Sequence, residues 1–314
     1  MKLQQLRYVV EVARQGLNVS AAAEALHTSQ PGVSKQIRQL ELELGVDIFE
    51  RSGKRLCAIT EPGVAVIEIA ERILTDSANL KRAGAEFANE TTGTLRIATT
   101  HTQARYALPT SVTAFKARFP NVTLTIHQGS PTQLCALVAS GEADIAIATE
   151  AIANAEPLIS FPCYQWNRCV VVPPNHPLLN ERPFTLEALA QYPIVTYDAA
   201  FAGRASVDKA FARRNLSPEI VLAALDSDVI KTYVELGLGV GIVAQMAFDP
   251  QRDQHLRAID AAHLFESSTT RLGVRRGSWL RGYVYAFIEL FAPHLESAML
   301  RKLIAGESGS LYAV

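Results

Sequence analysis

The period of the apolar side chains changes near residue 93, and that change constrains the fold more than any single motif. From Leu3 to about Ala88 apolar residues recur mainly at helical spacing, interrupted at 48–60. From Thr94 onward short apolar runs (TLRIATT, VTLTIHQ, DIAIAT, CVVVPP, PIVTY) alternate with helices through Phe115, Val138, Phe211 and Leu236. The two patterns bury their apolar faces differently, so the chain is α+β overall: a mainly α N-terminal part, then an α/β part with largely parallel sheets. At 314 residues it has room for two or three domains, each able to bury a core. The expected division is 1–59, a linker helix and hinge at 60–92 that ends in the polar Asn89-Glu90-Thr91-Thr92-Gly93, and 93–314.

The first part reads as three helices and a hairpin. Leu3, Leu6, Val9 or Val10 and Ala13 predict an amphipathic helix ended by Gly16, and Asn18 or Ser20 can cap a short second helix on Ala21, Ala22, Ala23 and Leu26. The third starts near Ser29 with Pro31 in its first turn, where a missing N–H costs nothing. Val33, Ile37, Leu40 and Leu44 form its expected buried stripe, and Gly45 stops it. IFERSGKRLCAIT at 48–60 predicts two strands about a Ser52-Gly53 turn, a wing with a basic tip. A long helix follows from Pro62 to about Ala88, with Val66, Ile69, Ile73, Leu74 and Leu80 on a stripe that requires a partner helix.

Two short helices joined by a tight turn make a helix-turn-helix, whose second member can enter the major groove of double-stranded DNA. Gln30 carries the amide to pair with adenine N6 and N7, Ser34 shares its outward face, and Lys35 and Arg38 reach phosphate or guanine. Ser29 and the free N–H groups beside Pro31 suit a phosphate oxygen, while Arg51, Lys54 and Arg55 on the wing would reach the flanking backbone or minor groove. The whole-chain net charge of −1 conceals this: residues 1–58 hold eight basic against six acidic side chains, and five of the eight fall between 35 and 55. Each polar residue alone reads equally well as a solvated helix face. The combination of helix-turn-helix, wing and basic tip is harder to explain that way.

Other classes find little support. Cys57, Cys135, Cys163 and Cys169 match no zinc or redox spacing, which favours a reducing, cytoplasmic setting. The opening MKLQQLRYVVEVARQ lacks the apolar core and cleavage site of an export signal, and no run approaches the ~20 apolar residues that span a bilayer. The seven histidines show no H-x-x-x-H or H-E-x-x-H arrangement and no G-x-S-x-G is present, so no metal, cofactor or catalytic residue is expected. Gly237, Gly239 and Gly241 follow a helical pattern and read as a tight turn, not a dinucleotide fingerprint.

The stretch from Leu6 to Thr60, with AAEALHTSQPGVSKQIRQLELELGVDIFERSGKR at 22–55, resembles the winged helix-turn-helix of LysR-type transcriptional regulators. GEADIAIA at 141–148 and GLGVGI at 237–242 are similar to that family's effector domain, so the resemblance covers nearly the whole chain. It implies a regulator, not an enzyme, that binds dyad-related promoter sites. It also implies a linker helix that pairs subunits into a homodimer and on into a homotetramer. The effector domain it implies is two-lobed, like a type 2 periplasmic binding protein, with lobe I at 93–162 plus 268–300 and lobe II at 163–267.

In a two-lobed α/β domain the ligand lies between the lobes, at carboxyl ends of strands and amino ends of helices. The run Thr99-Thr100-His101-Thr102-Gln103 meets that condition, as do Thr149 and the helix start Gly203-Arg204-Ala205-Ser206, although Thr and Ser also serve as plain helix caps. Hydroxyls and helical N–H groups without a required Lys or Arg describe a small-anion site. TTHTQARYALP at 99–109, YQWNR at 164–168 and DVIKTYV at 228–234 resemble the CysB-like branch, regulators of sulfur assimilation or sulfonate use. The resemblance implies a small sulfur-related anionic effector held by Thr100, Thr102, Gln103, Thr149 and Trp166. FAGR at 201–204 departs from it, with Ala202 beside Arg204 where relatives carry a threonine. Sulfate, thiosulfate, adenosine phosphosulfate and O- or N-acetylserine stay open. The competing readings are a LysR-type regulator with a different small-anion effector, an enzyme acting on a small sulfur compound, which leaves residues 1–60 unexplained, and a solute-binding protein.

Overall fold

The computed structural model describes residues 1–53, 55–88, 91–149, 152–156, 158–199 and 202–305. They form two compact units, Met1–Phe87 with Gly277–Trp279, and Ala88–Arg276 with Leu280–Val314.

In the first unit, α1 (Leu3–Arg14), α2 (Val19–Ala25) and α3 (Gln30–Leu44) precede the hairpin β1 (Phe49–Ser52) and β2 (Arg55–Ile59) and the long helix α4 (Glu61–Ala88). α2 and α3 each start where a side chain satisfies free N–H groups. Asn18 accepts from the N–H groups of Ser20 and Ala21 at 3.1 and 3.0 Å, and Ser29 accepts from that of Gly32 at 3.3 Å. Gly45 ends α3 with φ 72°, a left-handed conformation in which a side chain is strained. Leu6, Val9, Val12, Ala22, Val33, Ile37, Leu40, Ile48 and Phe49 close one core, against which Val66, Ile67, Ile73 and Leu74 of α4 pack.

Two expectations shift here. Leu44 is exposed, because α3 turns Glu41 inward instead. The Glu41 carboxylate accepts from the N–H groups of Ile48 and Phe49 at 2.9 and 3.2 Å and from the Arg51 guanidinium, so a buried charge ties α3 to the wing. The foot of α4 lies equally close: a Cβ on Gly63 would fall 2.1 Å from the Ile48 carbonyl oxygen, which leaves room for glycine alone. Of the expected stripe, Val66, Ile73 and Leu74 meet this core, whereas Ile69 and Leu80 are 46% and 76% exposed and lie off it.

The second unit holds two five-stranded sheets. The first, ordered β4 (Val122–Gln128), β3 (Gly93–Thr99), β5 (Ile145–Ala148), β12 (Ser268–Arg275), β6 (Leu158–Trp166), is parallel among β3, β4 and β5 and antiparallel around β12. The second, ordered β11 (Arg257–Asp260), β7 (Arg168–Val172), β10 (Val240–Ala244), β8 (Ile194–Tyr197), β9 (Ile220–Ala224), is parallel among β8, β9 and β10. In lobe I, α5 (Leu108–Arg118), α10 (Gly282–Phe291) and α11 (Ser297–Ala305) cover one face with Phe115, Phe287 and Ile304, and α6 (Pro131–Ser140) covers the other with Leu134 and Val138. In lobe II, α7 (Leu186–Leu189) and α8 (Ala202–Arg213) supply Leu189, Val207 and Phe211 to one core, and α9 (Ser227–Glu235) supplies Ile230 and Val234 to the other.

The chain passes between lobes at Asn167, later than the expected 162/163, because β6 stays paired with β12 as far as Trp166 opposite Ser268. β6 itself escaped the sequence reading. Pro162 lies in it, a strand-breaking residue tolerated because β6 is the edge of its sheet, and the register shift opposite Thr270 and Arg271 leaves Cys163 as the extra residue of a bulge in β6. Among the described residues, no helix is long and apolar enough to cross a membrane.

Candidate functional site

On the helix-turn-helix, Ser29, Gln30, Pro31, Lys35 and Arg38 are exposed along the start and outer face of α3, and Ser34 is half-buried beside them. Gln30 Nε2 donates to Ser34 Oγ at 3.1 Å, a weak surface bond that a base edge can replace. Arg55 is exposed at the start of β2, while Lys54 lies outside the described residues. Arg51 differs from the expectation of a free wing-tip cation. Its Nη2 is bound to buried Glu41 and its Nη1 lies 3.8 Å from Asp47, so it braces the wing from within.

In the second unit, strand β3 delivers Thr100 to the cleft and the helix that follows opens with a π-turn at Gln103–Ala107. Pro109 explains the widened turn: it has no N–H, and its ring would clash with the Arg105 carbonyl in regular α geometry. A cavity of about 40 Å³ lies here, lined by Thr100, Thr102, Gln103, Thr149, Trp166, Tyr197, Gly203 and Leu225. At ~10–15 Å³ for each water-sized occupant, that is room for roughly three waters or one small anion.

The wall carries no charged side chain, and most of the surface it exposes is apolar; several of its polar groups are already hydrogen-bonded. Gln103 is fixed at both ends of its amide, donating to Thr270 Oγ1 at 3.1 Å and accepting from the Tyr164 hydroxyl, so its orientation is set before anything binds. The Tyr197 hydroxyl lies 2.6 Å from Ser227 Oγ, which lies 3.4 Å from Thr102 Oγ1 across the cleft. Burial holds the Tyr197 phenol above its ordinary pKa, so it stays a neutral donor. Trp166 Nε1 is buried without a hydrogen-bond partner among the described residues. An unpaired buried indole N–H is costly, and an acceptor in the cavity would relieve it.

Sequence reasoning brought six of these eight wall residues to the site, Gly203 among them, and missed Tyr197 and Leu225. It also missed Arg168, which is fully buried behind the wall. Arg168 donates to the carbonyls of Glu266 and Gly203 at 2.9 and 3.2 Å and to Ser268 Oγ at 2.9 Å, and its guanidinium carbon lies 5.1 Å from the Trp166 ring centre. The signal was in the sequence, an arginine opening an otherwise apolar strand, RCVVV. Two expected residues differ. Arg204 pairs with Asp208 at 2.7 Å and donates to the Tyr197 carbonyl at 3.2 Å, away from the wall. Ala202 opens α8, but its side chain lies outside the described residues. Burial pushes the Cys163 and Cys169 thiols up to about 12, so neither is a ready thiolate.

Two family models match these two units. The model described as "Bacterial regulatory helix-turn-helix protein, lysR family" covers residues 3–64, and "LysR substrate binding domain" covers 88–296. The chain belongs to the LysR family. Within that family it is 54% identical over 310 residues to the HTH-type transcriptional regulator CysB of Burkholderia cenocepacia, covering 99% of each chain. It is also 54% identical over 304 residues to the regulator SsuR of the same organism, covering 97% of this chain and 99% of SsuR. The crystal structure of the cofactor-binding domain of the Cbl transcriptional regulator superposes with a TM-score of 0.67 at 45% identity, covering 69% of this chain and 95% of that one. This LysR-family regulator therefore sits in the branch that holds CysB, SsuR and Cbl, with a winged helix-turn-helix and a two-lobed effector domain.

Proposed function

We propose that this LysR-type regulator reads dyad-related half-sites in double-stranded DNA through Gln30, Lys35, Arg38 and Arg55, and takes a small sulfur-bearing anion in the cleft as its signal. The observation that carries the ligand reading is the cavity wall: threonine hydroxyls and the Gln103 amide line a space of about 40 Å³ at the start of a helix without a charged side chain, and the Trp166 N–H in that wall is buried without a hydrogen-bond partner among the described residues. Such a wall favours an anion bound by neutral donors and helix dipole, with the buried Arg168 supplying positive potential from behind Trp166. The small volume favours sulfate or thiosulfate over the nucleotide adenosine phosphosulfate, and resemblance to the CysB-like branch supports sulfur as the theme. The exposed face of α4 supports pairing of two subunits through that helix, and resemblance supports a tetramer.

The test is thermal stabilisation of the full chain against sulfate, thiosulfate, adenosine phosphosulfate, O-acetylserine and N-acetylserine. A ligand at a hundredfold excess over its dissociation constant adds about 2.7 kcal/mol, a readable shift. A shift that Thr100→Val abolishes while promoter DNA binding persists supports the reading. A shift that survives Thr100→Val moves the site elsewhere, and no shift with any of the five removes the sulfur assignment.

A further inference from the structure

Beside the cavity, and outside its wall, one phenol crosses from lobe I into a charged group on lobe II. Tyr106, in the π-turn, donates to Asp228 Oδ1 at 2.6 Å and accepts from Lys231 Nζ at 3.1 Å. Both partners lie in the first turns of α9, where Lys231 also bonds the two carboxylate oxygens of Asp253 at 2.9 and 3.0 Å and the Ala247 carbonyl at 2.9 Å. Arg105, next to Tyr106, pairs with Asp228 Oδ2 at 2.8 Å, and His101 Nε2 lies 3.8 Å from the same oxygen. Burial alone would disfavour the Lys231 charge, but Asp253 and Tyr106 outweigh it and its pKa is raised, so the ammonium is held. Burial, followed by the bond to Asp228, raises the Tyr106 pKa and keeps its proton in place.

From this we infer that Tyr106 is a positioning residue for the effector: a bolt, held between Asp228 and Lys231, that keeps the two lobes closed over the cavity without needing the ligand. Ser227 links it to the wall, because it precedes Asp228 in α9 and its hydroxyl lies between Thr102 of lobe I and Tyr197 of lobe II. Displacing Asp228 thus moves a neighbour of two wall residues. A ligand that binds the closed form is weakened in proportion to the loss of that form. The closure itself is independent of the ligand's identity; only its effect on affinity rests on the function proposed above.

Hydrogen exchange on the full chain, without added anion, tests the bolt. Tyr106→Phe keeps the ring and its packing and removes only the hydroxyl. Exchange should rise about tenfold at 100–107 in lobe I and at 227–231 in lobe II together, with β5 and β10 unchanged. Asp228→Asn, which leaves the phenol in place, should reproduce the paired rise, and in both variants the sulfate dissociation constant should rise by a similar factor. Unchanged exchange at either segment in both folded variants overturns the bolt. So does a rise spread through β8 and β10, which would mean that the residues merely support lobe II. If the wild type binds no sulfate, the ligand reading fails while the exchange result still decides the closure.

Discussion

In the helix-turn-helix, the candidate contacts Gln30, Lys35, Arg38 and Arg55 are exposed and fall within one short stretch of sequence. Around the cavity, Thr100, Gln103 and Tyr197 are buried, and the wall draws on residues from 100 to 225 in both lobes. A surface that meets a polyanion keeps its cations in water, where they remain free to exchange partners. A closed cavity excludes charge from its wall and relies on fixed dipoles, because an unpaired charge there would be expensive when no ligand is bound. Yet each region hides one buried, hydrogen-bonded ion. Glu41 is a buried anion inside the basic head, and Arg168 a buried cation behind the neutral wall.

The largest expected effect breaks the first of these. Glu41→Ala removes the acceptor for two backbone N–H groups and the Arg51 guanidinium, and should destabilise the head by about 3 kcal/mol. Hydrogen exchange should rise across 30–59 while the strands of the second unit keep their protection. Next, Gln30→Ala should lower discrimination between the operator and a single-base variant by about 2 kcal/mol in titrations at fixed salt, whereas Arg55→Ala should weaken both duplexes alike and reduce the salt slope by about 1. Equal losses on specific and random DNA for Gln30→Ala would show that it does not read bases.

Smaller again, Trp166→Phe should weaken sulfate about tenfold by calorimetry, the loss expected for one hydrogen bond to a charged group, without altering operator affinity. The smallest effect concerns pH. Hydrogen bonds from the Ser297 hydroxyl and N–H depress the Glu289 pKa, so its stabilisation is present above the ordinary carboxylate pKa and is lost as pH falls through the depressed value. Glu289→Gln should therefore flatten the acid side of the stability profile slightly, read from denaturant midpoints at descending pH.

The head was legible because its determinants are local. Asn18, Ser29 and Gly45 mark helix ends within a few residues of the apolar stripe they bound, and the cation-rich wing follows directly. What escaped there was the partner of Arg51, because Glu41 sits at a helical position where an acidic residue normally faces water. In the effector domain β3, β4, β5, β7 and β8 announced themselves as apolar runs, whereas β6 was masked by Pro162 and by a bulge that only its partner strand reveals. Thr100, Thr102, Gln103 and Thr149 could be found because each lies at or just beyond a strand end, or opens the following helix. Tyr197 and Leu225 also lie at or just beyond strand ends and Arg168 opens an apolar strand, but that these three meet at the cavity depends on how two sheets meet, which no local pattern encodes.

The fit of Gly63 against the Ile48 carbonyl also has a mechanical side. It leaves no slack between the wing and the foot of α4, so the two must turn together. A helix of 28 residues is about 42 Å long, and a rotation of roughly five degrees at its foot displaces the far end by about 4 Å. The long helix can thus act as a lever arm, converting a small change of angle at the DNA-reading head into a translation comparable to the spacing of neighbouring β-strands.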